Sequence, residues 1–324
     1  FTPLDLSQAG GTLDPTKFAA YGSLLDSFAA DADYEMRTFD THYRIQRSIA
    51  LPTPQPPPPY PVIFESDDTR DGLWEGIATD MFLNRHVPEG VPLSQATVAC
   101  GQGSTEDPFV CVENTFHDNY ATWMADHPGM LEIVQHGTFH TEHNHDLSEA
   151  QQLDIINKGL QHMSGWNLPN GRPFTYAAPF SEVNDDTISV LEQLGYHTVV
   201  QNAGLCPFSF PLDRFCNSIS LCERDTNGDR VEGPDCVLRS AADLIADVNA
   251  QRPNRPAAFI TYHMQDMTFA NGQLNGTKAT AFQAILNAFR AQEVAGNFDL
   301  TTYDGYYNSH STPIVDLIFG DGFE

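Results

Sequence analysis

The sequence predicts an α/β fold built from parallel βα units. Short runs rich in β-branched and aromatic residues alternate with segments of helical periodicity. The residues suited to catalysis or metal binding stand where those runs end: Asp67-Asp68, the pair His136 and His140, and His263. Catalytic side chains gather at strand C-termini in α/β barrels and open α/β sheets. No internal repeat is visible.

The elements follow in order. Asp14 caps and Pro15 opens a helix over 14–28. Leu51 to Tyr60 is a proline run, read as a stiff extended strap. Val62-Ile-Phe64 is a buried strand ending at Asp67-Asp68, followed by a helix over 74–85 and a strand over 94–99. A helix near 119–124 precedes the strand Leu131-Glu-Ile-Val134. The segment from Leu147 is a helix capped by Ser148. Phe174–Phe180 is a strand ending in a turn, 184–194 a helix stopped by Gly195, and 197–200 a strand. Residues 204–238 read as loop. A helix over 241–249 leads to the strand 257–263, and a helix over 280–292 to a last strand at 298–303. The tail from His310 to Glu324 offers only an edge-strand reading.

With 324 residues the chain can bury a substantial core. Its net charge of −27, with Lys17, Lys158 and Lys278 the only lysines, excludes nucleic acid as a partner, because phosphate binding needs clustered cations. No run approaches the roughly 18 apolar residues of a membrane span. Phe1, with no basic and apolar leader after it, reads as the start of a mature chain. The six cysteines fall as close couples, Cys100/Cys111, Cys206/Cys216 and Cys222/Cys236. Local disulfides are expected, and with them a secreted, extracellular protein.

His136 and His140 are four residues apart, so one helical turn would project both imidazoles from one face. Two imidazoles and a carboxylate bind a divalent ion of zinc type and leave a coordination position open. Asp67-Asp68 can supply that carboxylate. His143 and His145 form either a rival cluster with His140 or a surface loop. Asp225, Asn227 and Asp229 place oxygens at alternate positions, as in a calcium loop. Cys236 occupies the twelfth place of that loop, so the segment reads either as a Ca2+ site or as an Asx-rich turn. Tyr176, Phe180, Trp166 and Tyr262 either line a sugar-stacking groove or fill the core. Asn275-Gly-Thr277 is a glycosylation sequon.

Taken in order, these motifs resemble the polysaccharide deacetylases of the NodB-homology type, carbohydrate esterase family 4. Phe64-Glu-Ser-Asp-Asp68 matches the family's first motif and His136-Gly-Thr-Phe-His140 its second. Ala177-Ala-Pro-Phe180 matches the third in part, and Thr261-Tyr-His263 the last loosely. The resemblance covers roughly residues 60 to 308. It implies a distorted (β/α)7-type barrel over 61–308 with a disulfide-containing insertion at 204–238, an N-terminal extension over 1–60 and a tail over 309–324. It further implies that Asp68, His136 and His140 hold a divalent metal, Zn2+ by preference. Asp67 would be the base that deprotonates the attacking water, and His263 the acid that protonates the departing amine. The backbone N–H of Phe180 would hold the oxyanion, with Tyr176 and Tyr262 beside the substrate. Ala177 stands where the family has an arginine that orients the base, a role open to Arg70 or Arg172. Gly137 and Thr69 also depart from the pattern, and the Asp…Trp motif is not recognisable near 199–203.

The expectation is therefore a secreted, metal-dependent deacetylase acting on a chitin-like or other N-acetylglucosamine polymer. An O-acetyl esterase or non-sugar amidase on the same scaffold is one competing reading. A carbohydrate-binding protein that has lost activity is another.

Overall fold

The computed structural model describes residues 58–69, 74–201, 212–226 and 229–310. The helix expected from Asp14, most of the proline strap, Arg70, Asn227 and the tail beyond His310 lie outside them. The strands are β1 (Tyr60–Thr69), β2 (Leu93–Thr97), β3 (Leu131–Gln135), β4 (Thr175–Ala177), β5 (Thr198–Gln201), β6 (Asp213–Cys216), β7 (Ile219–Ser220), β8 (Ala258–His263) and β9 (Phe298–Thr301). They lie in the order β6-β5-β4-β3-β2-β1-β8-β7, with β9 paired to the start of β1, and every pairing between them is parallel.

The sheet curls on itself. Ile63, Ala96, Val134, Ala177, Val200, Phe215 and Phe259, from seven different strands, form one buried cluster with Tyr303 and Tyr306. Those tyrosines belong to the helix Tyr303–His310, which closes the N-terminal end of this distorted barrel. Outward residues such as Val62, Phe64, Ile133, Ile260 and Tyr262 pack beneath the surrounding helices. Side chains alternate along a strand, so Ile63, Glu65 and Asp67 share the inner face of β1, and Phe259 and His263 that of β8.

The helices are α1 (Glu75–Thr79), α2 (His117–Asp126), α3 (Glu149–Met163), α4 (Asp185–Gln193), α5 (Ala241–Gln251), α6 (Gly276–Val294) and α7 (Tyr303–His310). α1 runs on through a π-helical segment, Asp80–His86, and a last α-helical turn, Val87–Glu89. Ser148 and Gln151 cap α3, Asn184 and Thr187 cap α4, and Gly195 follows α4 at φ 74°. The disulfides Cys100–Cys111 and Cys222–Cys236 form as expected, while the third couple includes Cys206, outside the described residues.

The structure corrects two expectations about the strands. Within 204–238, taken as loop, β6 and β7 extend the sheet; runs of four and two residues are too short to show a period of two. The last strand stops at Thr301, and Tyr303 already belongs to α7.

Candidate metal centre

At the C-terminal end of the barrel, β1 delivers two carboxylates to one place. Asp67 faces inward by alternation. Asp68 follows because a register shift between Ser66 and Thr69, with Asp68 at φ 61°, turns it back to the same side.

His136 follows β3 directly. Its Nδ1 lies 3.0 Å from the carbonyl oxygen of Ala177, and its Nε2 lies 3.0 Å from Asp68 Oδ1 and 3.2 Å from Asp67 Oδ1. His140 Nε2 stands 2.7 Å from Asp68 Oδ1. The two histidines are brought together by a loop and not, as their spacing suggested, by a helical turn. Gly137 at φ 68° and His140 at φ 63° break any helix there. Buried Glu142 gathers the loop by accepting the backbone N–H groups of Thr138 (2.6 Å), Phe139 (2.7 Å) and Thr141 (3.0 Å). Sequence reasoning missed Glu142, since a carboxylate that binds backbone amides leaves no spacing signature.

His263, at the end of β8, completes the group: its Nε2 lies 3.4 Å from Asp68 Oδ2 and 4.0 Å from Asp67 Oδ2. These side chains line a cavity of about 410 Å³ whose walls also include Phe180, Ser218, Arg224, Arg230 and Glu232. Of the six non-glycine residues with positive φ among the described residues, Asp68, His140, Phe180 and Ser181 line this cavity. Strained backbone concentrates where a site demands a particular geometry.

Burial works against ionisation of Asp68, but hydrogen bonds to His136 and His140 hold it well below the usual carboxylate range. Burial lowers His136, yet the charges of Asp67 and Asp68 overcome it and push the imidazole up to about 10. Below Asp67, burial and then the Asp67 charge raise Glu65 to about 8, and Tyr303 donates its hydroxyl to it.

The donor set fits a divalent ion. The facing carboxylate and imidazole atoms of Asp68, His136 and His140 lie within 4.8 Å of one another. The bond from His136 Nδ1–H to a backbone carbonyl turns Nε2 toward the carboxylates as the nitrogen that would ligate a cation once its proton is given up, the outer-shell pattern of metal-ligating histidines. His143 and His145 form no such group among the described residues; His143 instead stacks on Phe180 with ring centroids 4.2 Å apart and lies 3.0 Å from Glu182. Asp225 Oδ1 accepts the backbone N–H of Asp229 at 2.9 Å.

Other predicted site residues lie elsewhere. Tyr176 and Tyr262 do not line the cavity: both occupy outward strand positions and are fully buried, Tyr262 with its hydroxyl 3.1 Å from His86 Nε2. Strand parity places them there. Trp166 is likewise buried in the outer core. Phe180 does stand at the mouth, half-exposed beside His140. Arg172 bonds the carbonyls of Leu194 and Gly195, away from the site. The arginines that do line the cavity, Arg224 and Arg230, come from the Cys222–Cys236 loop, where no motif pointed to them.

No protein-family model matches the chain, and no curated protein matches it in sequence. Solved structures do match. A candidate polysaccharide deacetylase from Mycobacterium smegmatis aligns with a TM-score of 0.55 at 15% identity, over 79% of this chain and 92% of that one. A family 4 carbohydrate esterase from Streptomyces lividans, in complex with acetate, gives 0.42 at 15% identity over 74% and 91%. A family 4 pseudoenzyme from Bacillus anthracis gives 0.42 at 11% over 72% and 62%. At such identities the likeness concerns the fold.

Proposed function

We propose that this chain, which has the fold of the NodB-type polysaccharide deacetylases of carbohydrate esterase family 4, is a secreted metal-dependent hydrolase that removes N-acetyl groups from a glycan. The observation that carries the proposal is the convergence of Asp68, His136 and His140 beside Asp67 and His263 in one cavity. No helix among the described residues is long and apolar enough to cross a membrane, and two disulfides fit an oxidising compartment.

Asp68, His136 and His140 would hold the cation, with Zn2+ the ion that suits one carboxylate and two imidazoles. When bound, the ion supplies Lewis acidity, polarising the acetamide carbonyl and acidifying a water. Asp67 would take a proton from the attacking water as the water's oxygen adds to the carbonyl carbon. The backbone N–H of Phe180, at the cavity wall, donates to the oxygen that becomes negative. His263 presents Nε2 to the site and gives its proton to nitrogen as the C–N bond breaks, releasing acetate and a free amine. The exposed Phe180 ring offers a sugar a stacking face at the mouth.

The acidic surface favours a neutral substrate of N-acetylglucosamine units over an anionic glycan. Acetate release from chitin oligomers and from acetylated xylan, with and without a chelator, tests the proposal. Chelator-sensitive release from chitin oligomers is expected. Faster release from xylan would shift the reading to an O-acetyl esterase, and none from either by the metal-loaded protein would leave a sugar-binding relative.

A further inference from the structure

Two buried nitrogens, on residues that line the cavity, lie near one carboxylate oxygen without bonding it. His263 Nδ1 and Arg230 Nε are both buried and have no hydrogen-bond partner. Glu232 Oε1 lies 3.8 Å from the first and 3.5 Å from the second. Buried donors left unpaired are costly and rare. The Glu232 side chain is 45% exposed, so it has room to close that gap.

Its backbone is held in place. The Cys222–Cys236 disulfide closes the loop that carries Glu232. Asp266, fully buried, accepts the N–H groups of His263 (2.8 Å) and Gly233 (2.6 Å) and the Arg230 guanidinium (3.2 Å). Lys278 Nζ donates to the carbonyls of Asp266 (2.9 Å) and Pro234 (2.7 Å), joining loop to strand end once more. Asp266 Oδ2 is also 3.8 Å from His263 Nδ1, but that oxygen already takes two bonds. Glu232 is the carboxylate free to move.

We propose that Glu232 is a positioning residue for His263: it closes on Nδ1 and holds Nε2 toward the leaving nitrogen, which makes the Cys222–Cys236 loop a working part of the site. This rests on the reading of His263 as the acid. It is separable from that reading because an acid matters only to a leaving group that needs a proton. Glu232→Gln, His263→Ala and Asp266→Asn, each metal-loaded, are compared on a chitin oligomer, whose amine must be protonated, and on 4-nitrophenyl acetate, whose phenolate leaves unaided.

Glu232→Gln is expected to lower the ratio of amide to aryl-ester turnover by about ten- to a hundred-fold, in the direction of His263→Ala, as loss of general-acid help does. A merely structural defect would lower both rates together and leave the ratio alone. An unchanged ratio in Glu232→Gln, with a fallen ratio in His263→Ala, overturns the proposal, as does a fall in Asp266→Asn alone. If His263→Ala leaves the ratio unchanged, the acid reading itself fails and takes the Glu232 role with it.

Discussion

Asp67 and Asp68 adjoin in sequence but differ in surroundings: the Asp67 side chain is 6% exposed, whereas Asp68 is 30% exposed and meets both imidazoles. Asp67→Asn should therefore keep the metal while turnover falls about 10²- to 10⁴-fold. His140→Ala should lose both. Elemental analysis of the purified variants beside acetate release reads the difference, and full activity in Asp67→Asn would remove it as the base. The pair was legible in the sequence because it ends a strand, and so were His136, His140 and His263. The turn that brings Asp68 alongside Asp67 was not, because a positive φ in an aspartate is imposed by its surroundings. Tyr176 and Tyr262 were misplaced against a signal the sequence did hold: alternation turns Tyr262 away from the face of its neighbour His263, and Tyr176 away from that of inward Ala177.

The loop from His136 to Glu142 sets the ligand geometry at the scale of an element. A Cβ on Gly137 would meet Pro179 Cγ at 2.7 Å and Glu142 Oε2 at 2.9 Å, in a backbone conformation that already disfavours a side chain. Gly137→Ala should destabilise the protein by about 1–3 kcal/mol. It should also weaken metal retention, since relief of the clash displaces Glu142 and the amides it gathers. Thermal melts and competition with a chelator measure the two effects. Unaltered metal retention would show that this loop does not set the histidine pair. The helical-turn expectation failed here because spacing reports only that two residues can meet, whereas left-handed Gly137 and His140 decide how.

Over the whole molecule, buried charge and surface charge predict opposite responses. At the N-terminal end of the barrel, Glu132 is buried and accepts hydroxyls from Ser94 (2.9 Å) and Thr175 (2.7 Å) and the N–H of Asp304 (3.1 Å). Burial, reinforced by the Asp304 charge, pushes it up to about 8. The folded state then holds a proton that the unfolded chain releases near pH 4.5. Stability contributed by this group is full below that pH and is lost as pH rises toward about 8. Glu132→Gln should flatten the fall in Tm between those limits and be the more stable variant at pH 8. An equally steep fall would place the proton elsewhere. The alternation of strand and helix made the barrel legible, but this carboxyl was not, since hydrophobic patterning does not reveal a polar residue facing a barrel interior.

The surface behaves differently, because 43 acidic and 16 basic residues leave the folded chain repelling itself. Screening shortens the reach of exposed charges from about 30 Å at 0.01 M salt to about 3 Å at 1 M. Tm should therefore rise with sodium chloride over this range. The same field distinguishes the proposed product from its substrate: a glucosamine oligomer with free amines is cationic, and its acetylated parent is neutral. Attraction should tighten binding of the deacetylated oligomer at low salt and fade as salt rises, while binding of the acetylated oligomer stays nearly level. Inhibition constants for both oligomers across a salt series measure this. Equal salt slopes would mean that the acidic surface plays no part in glycan choice, leaving selection to the cavity formed by Phe180, Arg224, Arg230 and Glu232.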